Sequence, residues 1–500
     1  MGIIIRQSIK GTFVNYVGSF IGFLTNIFVL TRFLLPEEIG LTRVFYETAV
    51  LIAGIAQLGT TVTAFRFFPY FKSETNNHNG FFFYLILMPV IGSCIFTPLY
   101  ILLKDPVSAY FSTNASLFVD YYYWAIILIV FIVFWTAFET YANLLMRIVI
   151  PKFIREVVVR LLLLTAYLFF AFKFFYLDGL IGCIIVVYGI AMLLALSYVS
   201  HISTLSFKHD FTFINKPLRK KIRNYTLFLL LSALSGGILN QIDIFMVGAL
   251  LGLDYAGIYV IVFHIATVIE IPSRSISSIS SPVAANAIKE GDLKTANQLY
   301  KKVSLHQLVA GICIFLLVWI NIDNIFAIIP NGSVYATGKW VVFFIALAKI
   351  LNISVNFSSV LISYSKYYYW SLFFTVFITT TGIVSNLLLI PRLGITGAAI
   401  ATLITYVLNT IVQQWIVLVK IKGNPFSMGM IKIILLIIIL FGINFILPHW
   451  TSNPYTDTIY RTLIIGTILL ISLYKLKVSD EISLVMRKAV SILLKKDIVE

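Results

Sequence analysis

Charge is what this sequence has little of. Only 12% of its 500 residues are Asp, Glu, Lys or Arg, about half the share usual in a soluble domain. With 60% of the chain apolar and a mean hydropathy of +0.96, a water-soluble fold would expose large apolar patches and aggregate. Soluble single-domain enzymes, nucleic-acid-binding modules and disordered scaffolds are thereby excluded. Cysteine is scarce too. Cys94, Cys183 and Cys313 lie in apolar stretches, without the CxxC or Cys/His spacing of a metal site or disulfide framework, and no metal or other cofactor is expected. The opening residues, MGIIIRQSIKG, lead into an apolar segment with no small-residue cleavage site, so no signal peptide is read.

What is there is apolar runs. A membrane helix needs about 20 mostly apolar residues, and fourteen segments qualify: 11–32, 41–68, 81–103, 118–146, 156–176, 180–203, 225–250, 256–282, 303–322, 338–363, 370–390, 395–419, 430–448 and 459–477. Turn chemistry separates them, as in Leu-Pro-Glu-Glu at 35–38 and Pro-Arg-Leu-Gly at 391–394. The expected fold class is an all-α polytopic membrane protein. The net charge of +16 needs no nucleic acid, because the Lys and Arg residues sort by side. Over alternating connections, 28 of the 37 fall on the side that holds both termini, seven fall opposite, and Arg274 and Lys349 lie within spans. Positive residues mark the cytoplasmic face, so both termini are expected there. The tail 479–500 places Ile482, Val485, Met486, Ala489, Ile492 and Leu493 at helical spacing between Lys and Arg, the pattern of an interfacial amphipathic helix.

The first twelve spans read as a duplication. Leu34-Leu35-Pro36-Glu37-Glu38-Ile39-Gly40 separates spans 1 and 2, and Leu251-Gly252-Leu253-Asp254-Tyr255-Ala256-Gly257 separates spans 7 and 8. Gly179-Leu180-Ile181-Gly182 and Gly394-Ile395-Thr396-Gly397 open spans 6 and 12. Six spans between copies give both halves the same orientation, an arrangement of secondary transporters. The expected organisation is a six-helix bundle over 1–204, a basic cytoplasmic link over 205–224, a second bundle over 225–420, two more spans over 421–478 and the tail.

Fourteen spans, the Leu34–Gly40 loop, the run Pro-Arg-Leu-Gly-Ile-Thr-Gly-Ala-Ala-Ile-Ala at 391–401, and Ile271-Pro272-Ser273-Arg274 followed by Ser281-Pro282 resemble the polysaccharide and O-antigen flippases. These belong to the multidrug/oligosaccharidyl-lipid/polysaccharide exporter superfamily. The resemblance implies two bundles around a central cavity and alternating access. It implies translocation of an undecaprenyl-diphosphate-linked oligosaccharide across the bacterial cytoplasmic (inner) membrane, for polysaccharide, O-antigen or lipopolysaccharide biosynthesis. It further implies a polysaccharide polymerase and chain-length machinery as partners, and H+ or Na+ as a coupling ion.

Charges inside spans are costly and mark function by default. Arg43 and Glu47 are four apart in span 2, as are Glu270 and Arg274 in span 8, flanking Pro272. Lys349 lies mid-way along span 10, with Asn352 and Asn356 below it. Asn26 and Asp243 occupy corresponding positions in spans 1 and 7, and Glu139 lies in span 4. Two readings stand for the pairs: structural locks within a bundle, or the lining of a watered cavity. In the second, a diphosphate is drawn to cations, Arg above all for its bidentate fork. At 1.5 Å per residue, Arg274 is roughly 27 Å into span 8 and Lys349 roughly 16 Å into span 10. With Arg43 at the outer mouth, the three form a series of cationic stations, and Asn352 and Asn26 add hydrogen-bonding groups. Glu139, Asp243, Glu47 and Glu270 are the ion-coupling candidates, since a carboxylate partly removed from water readily takes a proton or cation. His264, opposite Glu47 at the repeat offset, reads as a core residue, and the runs Tyr121–Trp124 and Tyr367–Trp370 read as interfacial belts.

Two other functions remain open. An ion-coupled multidrug antiporter of the same superfamily would have twelve spans and an acidic cavity. A membrane glycosyltransferase or polymerase acting on the same lipid would need a large outer loop or an acidic metal motif, and the sequence shows neither. The chain is therefore read as a transporter rather than an enzyme.

Overall fold

Helix is the only regular secondary structure among the described residues of the computed structural model, which are 2–73, 77–111, 115–205, 220, 222–223, 225–226, 242–448, 451–476 and 478–479. A backbone in lipid must satisfy its own polar groups, and the helix does so within one segment. Nine described helices are long and apolar enough to cross a membrane, and a tenth span is the pair Lys339–Val355 and Phe357–Tyr364, bent by 40°. Helix is described within each of the fourteen apolar segments, in the seventh at 225–226 and over Ile242–Leu251. The chain is a multi-pass, all-α membrane protein. The basic link 205–224 lies almost wholly outside the described residues, as does the amphipathic tail beyond 479.

Local chemistry sets the breaks. Pro36 opens a helix at its first turn, where its missing N–H costs nothing, and Glu38 Oε2 accepts from the Leu35 N–H at 2.8 Å. The long helical run Trp370–Ile416 turns at Gly394, whose φ of 60° and ψ of −144° belong to a region open to glycine alone. That turn divides spans 11 and 12 where Pro-Arg-Leu-Gly anticipated it.

The chain packs into two units, one of Met1–Ile261 with Thr375–Ala398, the other of Val262–Phe374 with Ala399–Glu500. In the first, the helix Trp124–Leu144 is central, burying Leu128, Val133, Phe138 and Tyr141 against Pro36–Ala56, Phe81–Leu102 and Leu177–Ile202. The two repeat-marking loops also meet here. A Cβ on Gly40 would strike the Leu253 carbonyl oxygen, and a Cβ on Gly257 would strike the Pro36 carbonyl oxygen. Of the run Tyr121–Trp124, expected as an interfacial belt, Tyr123 and Trp124 are exposed, whereas Tyr122 is 0% exposed. Its ring stacks on Tyr100 at 4.2 Å, and each hydroxyl donates to the other residue's carbonyl, so packing claims half of the run.

In the second unit, Leu293–Ile320 is central, packed against Ile271–Lys289, Lys339–Val355 and Met428–Ile446. A buried polar network fastens the last two helices. Arg461, one of the seven Lys and Arg residues that the sequence puts on the outer side, is 4% exposed, and Asp457 is 1% exposed. Arg461 donates from Nε to Asp457 Oδ2 at 3.0 Å, from Nη1 to Asn444 Oδ1 at 2.8 Å and from Nη2 to the Leu447 carbonyl at 3.1 Å. Asn324 Nδ2 donates to the same Asp457 oxygen at 2.8 Å. Such satisfaction is what a buried ion pair needs in order not to cost stability.

Candidate functional site

In the first unit, the helix Pro36–Ala56 carries Arg43 and Glu47 on one face, Nη1 to Oε1 at 3.9 Å, both side chains mostly buried. Tyr46 beside them stacks on Tyr188 at 5.2 Å; Tyr188 meets Trp135 at 5.8 Å; and the Arg155 guanidinium lies 5.1 Å above the Trp135 ring. Arg155 in turn is paired with Glu139. Glu47 and Glu139, which the sequence offers as separate candidates, are thus joined by a continuous file of aromatic and charged groups.

Asp243 in the same unit is held by Asn386 and Tyr259 among its partners. Its Oδ1 accepts from Asn386 Nδ2 at 2.7 Å, and its Oδ2 from the Tyr259 hydroxyl at 3.3 Å. Asn386 is fully buried and its Oδ1 has no hydrogen-bond partner among the described residues. A carboxylate beside an unused amide oxygen is an oxygen donor set suited to a hard cation. Asn26 is half-buried in the π-helical turn Thr25–Leu30.

The second unit holds Glu270, Arg274, Lys349, Asn352 and Asn356. The expected Glu270–Arg274 pair does not form. Glu270 instead meets Lys349, Nζ to Oε1 at 3.1 Å, while Arg274 is exposed and makes no ion pair among the described residues. The reason is electrostatic: Lys349 rises among apolar neighbours and would be a costly lone charge, so the carboxylate closes on it. Lys349 also lies over the rings of Phe263 at 5.5 Å and Tyr406 at 5.7 Å. Asn352 is half-buried, and Asn356 is exposed at the bend between helices, accepting from Ser359 Oγ at 3.0 Å.

The described residues contain no group of three His, Cys, Asp or Glu side chains able to hold a metal. Sequence reading missed Asn386, Tyr259, Trp135 and Arg155. The first three are ordinary residues in apolar spans, and Arg155 looked like one more cytoplasmic charge; only folding shows which of them meet a carboxylate.

The arrangement is that of a membrane protein with charged pairs inside its helices, and comparison with known proteins gives it a family. The pattern of polysaccharide biosynthesis proteins matches residues 5–287, more than half of the chain. The chain belongs to the polysaccharide biosynthesis protein family. No curated protein matches it over its sequence. Its fold is that of the multidrug/oligosaccharidyl-lipid/polysaccharide (MOP) superfamily. The lipid II flippase MurJ, in an inward closed conformation, superposes with a TM-score of 0.74 at 13% identity, over 94% of this chain and 99% of that one. A multidrug resistance MATE family transporter of the MOP superfamily, in an inward-facing conformation, gives 0.59 at 16% identity, over 81% of this chain and 94% of that one. A MOP superfamily transporter from Pyrococcus furiosus gives 0.56 at 15% identity, over 84% and 96%. At these identities the likeness is one of fold.

Proposed function

We propose that this family member is a flippase that carries an undecaprenyl-diphosphate-linked oligosaccharide from the cytoplasmic to the outer leaflet by alternating access. The observation that carries this reading is the placement of cations in the second unit: Lys349 beside Glu270 within apolar helices, and Arg274 exposed one turn beyond. Anionic diphosphate is drawn to such groups, and the guanidinium fork fits its oxygens. The family supports a role in polysaccharide assembly, and the shared fold supports transport rather than catalysis. In this reading both termini face the cytoplasm, and the two bundles span 1–204 and 225–420. Arg274, Lys349 and Arg43 attract the diphosphate, while Asn352 and Asn26 hydrogen-bond to substrate. Asp243, Glu139, Glu47 and Glu270 are the carboxylates through which H+ or Na+ would be coupled, and O-antigen or related polymerases take up the product.

The test is reconstitution. Proteoliposomes holding a polyprenyl-diphosphate oligosaccharide should show protein-dependent exposure of the glycan to an external glycosidase. Protein that leaves the glycan inside but exchanges a cationic dye for H+ or Na+ would instead be the multidrug antiporter.

A further inference from the structure

Lys152 and Arg155 stand where the helix Val149–Phe153 widens into a π-helical turn over Ile154–Val158. A spacing of three places them on neighbouring positions of one helix face, and π-turns recur at functional sites. Both carry more donors than the protein uses. A guanidinium has five N–H donors. Among the described residues Arg155 gives one, from Nη2 to Glu139 Oε2, and rests on the Trp135 ring. Its side chain is still 45% exposed, against 13% for Glu139, so the remainder of the fork is open.

Lys152 is half-buried, and its ammonium makes no hydrogen bond or ion pair among the described residues. Burial pushes its pKa down, while Glu156 and Glu139 act in the opposite direction. Among the described residues, the two carboxylates that act on Lys152 are shared by three cations. Glu156 is taken by Arg160 at 2.6 Å, and Glu139 by Arg155, which leaves Lys152 in excess. The indole N–H of buried Trp135 is also without a partner among the described residues.

We propose that Lys152 and Arg155 bind a phosphate oxyanion at this end of the first unit. The fork of Arg155 takes two oxygens, the ammonium of Lys152 adds a point charge, and Trp135 holds the guanidinium plane in place. The ligand's chemistry is that of a phosphate ester, either the diphosphate of a lipid-linked substrate, which rests on the flippase reading, or a phospholipid head group. Glu139 keeps Arg155 in position until an oxyanion shares it.

Native mass spectrometry of the intact protein in neutral detergent tests this with two probes, undecaprenyl diphosphate and phosphatidylglycerol. Lys152→Gln breaks no ion pair among the described residues and should weaken retention at least tenfold. Arg155→Ala should do the same, Arg155→Lys should fall between, and the exposed Arg392→Ala should change nothing. Loss confined to undecaprenyl diphosphate assigns the site to substrate; loss confined to phosphatidylglycerol assigns it to bilayer lipid. Unchanged retention of both probes by Lys152→Gln and by Arg155→Ala overturns the proposal. A wild-type protein that holds phosphatidylglycerol and never undecaprenyl diphosphate overturns the flippase reading and leaves the oxyanion site standing. Should Arg155→Ala not fold, Arg155→Ala with Glu139→Gln removes the orphaned carboxylate and repeats the measurement.

Discussion

Gly40 and Gly257, which the sequence offers as matching positions, each occupy the space that a side chain on the other's helix would need. Gly40 lies against the Leu253 carbonyl and the Gly257 amide nitrogen, and Gly257 lies against the Pro36 carbonyl and the Gly40 amide nitrogen. Two helices therefore start in backbone contact, with their positive ends together, an arrangement that carboxylates in the first turn favour. Glu37, Glu38 and Asp254 supply them.

Alanine at either glycine should prevent this approach. Overpacking of this kind costs about 1–3 kcal/mol, so Gly40→Ala and Gly257→Ala should each lower the midpoint of thermal unfolding in detergent. Gly442, also within a helix, has nothing within 4 Å of the Cβ it would gain. Gly442→Ala should leave the midpoint level or raise it, because alanine favours helix over glycine by about 1 kcal/mol. Equal effects at all three positions would show that the crossing is loose.

The network around Arg461 makes a second expectation. Removing one partner of a buried pair costs about 3–5 kcal/mol, because the other charge is left behind. Asp457→Ala and Arg461→Ala should each destabilise the protein by that order in denaturant melts and loosen the Pro454–Leu476 helix to proteolysis. A double replacement by apolar residues, Asp457→Leu with Arg461→Met, should recover much of the loss.

Much of this fold is legible in the sequence because span length and turn chemistry are local properties. The breaks at Pro36 and Gly394 need no tertiary information to be read. Partnership is different. The sequence pairs Glu270 with Arg274 by helical spacing, yet the neighbouring helix brings Lys349 closer. The same holds for Asp243, whose partner Asn386 lies 143 positions away. Arg461 is alike: the sequence places it at a span end, and only the approach of Asn324 to its partner Asp457 and of Asn444 to its guanidinium shows the buried network.

Asp243 and Glu139 should separate coupling from substrate binding. Asp243→Asn removes the charge while keeping the shape that Asn386 and Tyr259 grip, so any Na+ or H+ dependence of export should vanish while lipid retention persists. Glu139→Gln should likewise abolish that dependence, and Asn386→Leu should mimic Asp243→Asn by removing the unused amide oxygen. Wild-type export that does not change with sodium or pH would remove coupling from all of these residues.

The cationic series divides by how each cation is held. Arg274 is exposed and makes no ion pair among the described residues, so its loss should leave the fold intact: Arg274→Ala should keep its melting midpoint and lose most glycan export. Arg274→Lys, which retains charge without the fork, should keep part of it. Lys349 is tied to Glu270 at 3.1 Å, and Lys349→Ala should lower both export and stability, since it strands a carboxylate. Lys349→Ala combined with Glu270→Gln separates fold from function for the pair: stability should return, and export should not. Arg43, paired with Glu47 at 3.9 Å and placed by the sequence at the outer mouth, should matter least, slowing release rather than capture. Normal export by Arg274→Ala and by the Lys349→Ala, Glu270→Gln protein would make these charges structural and would require another path for the diphosphate.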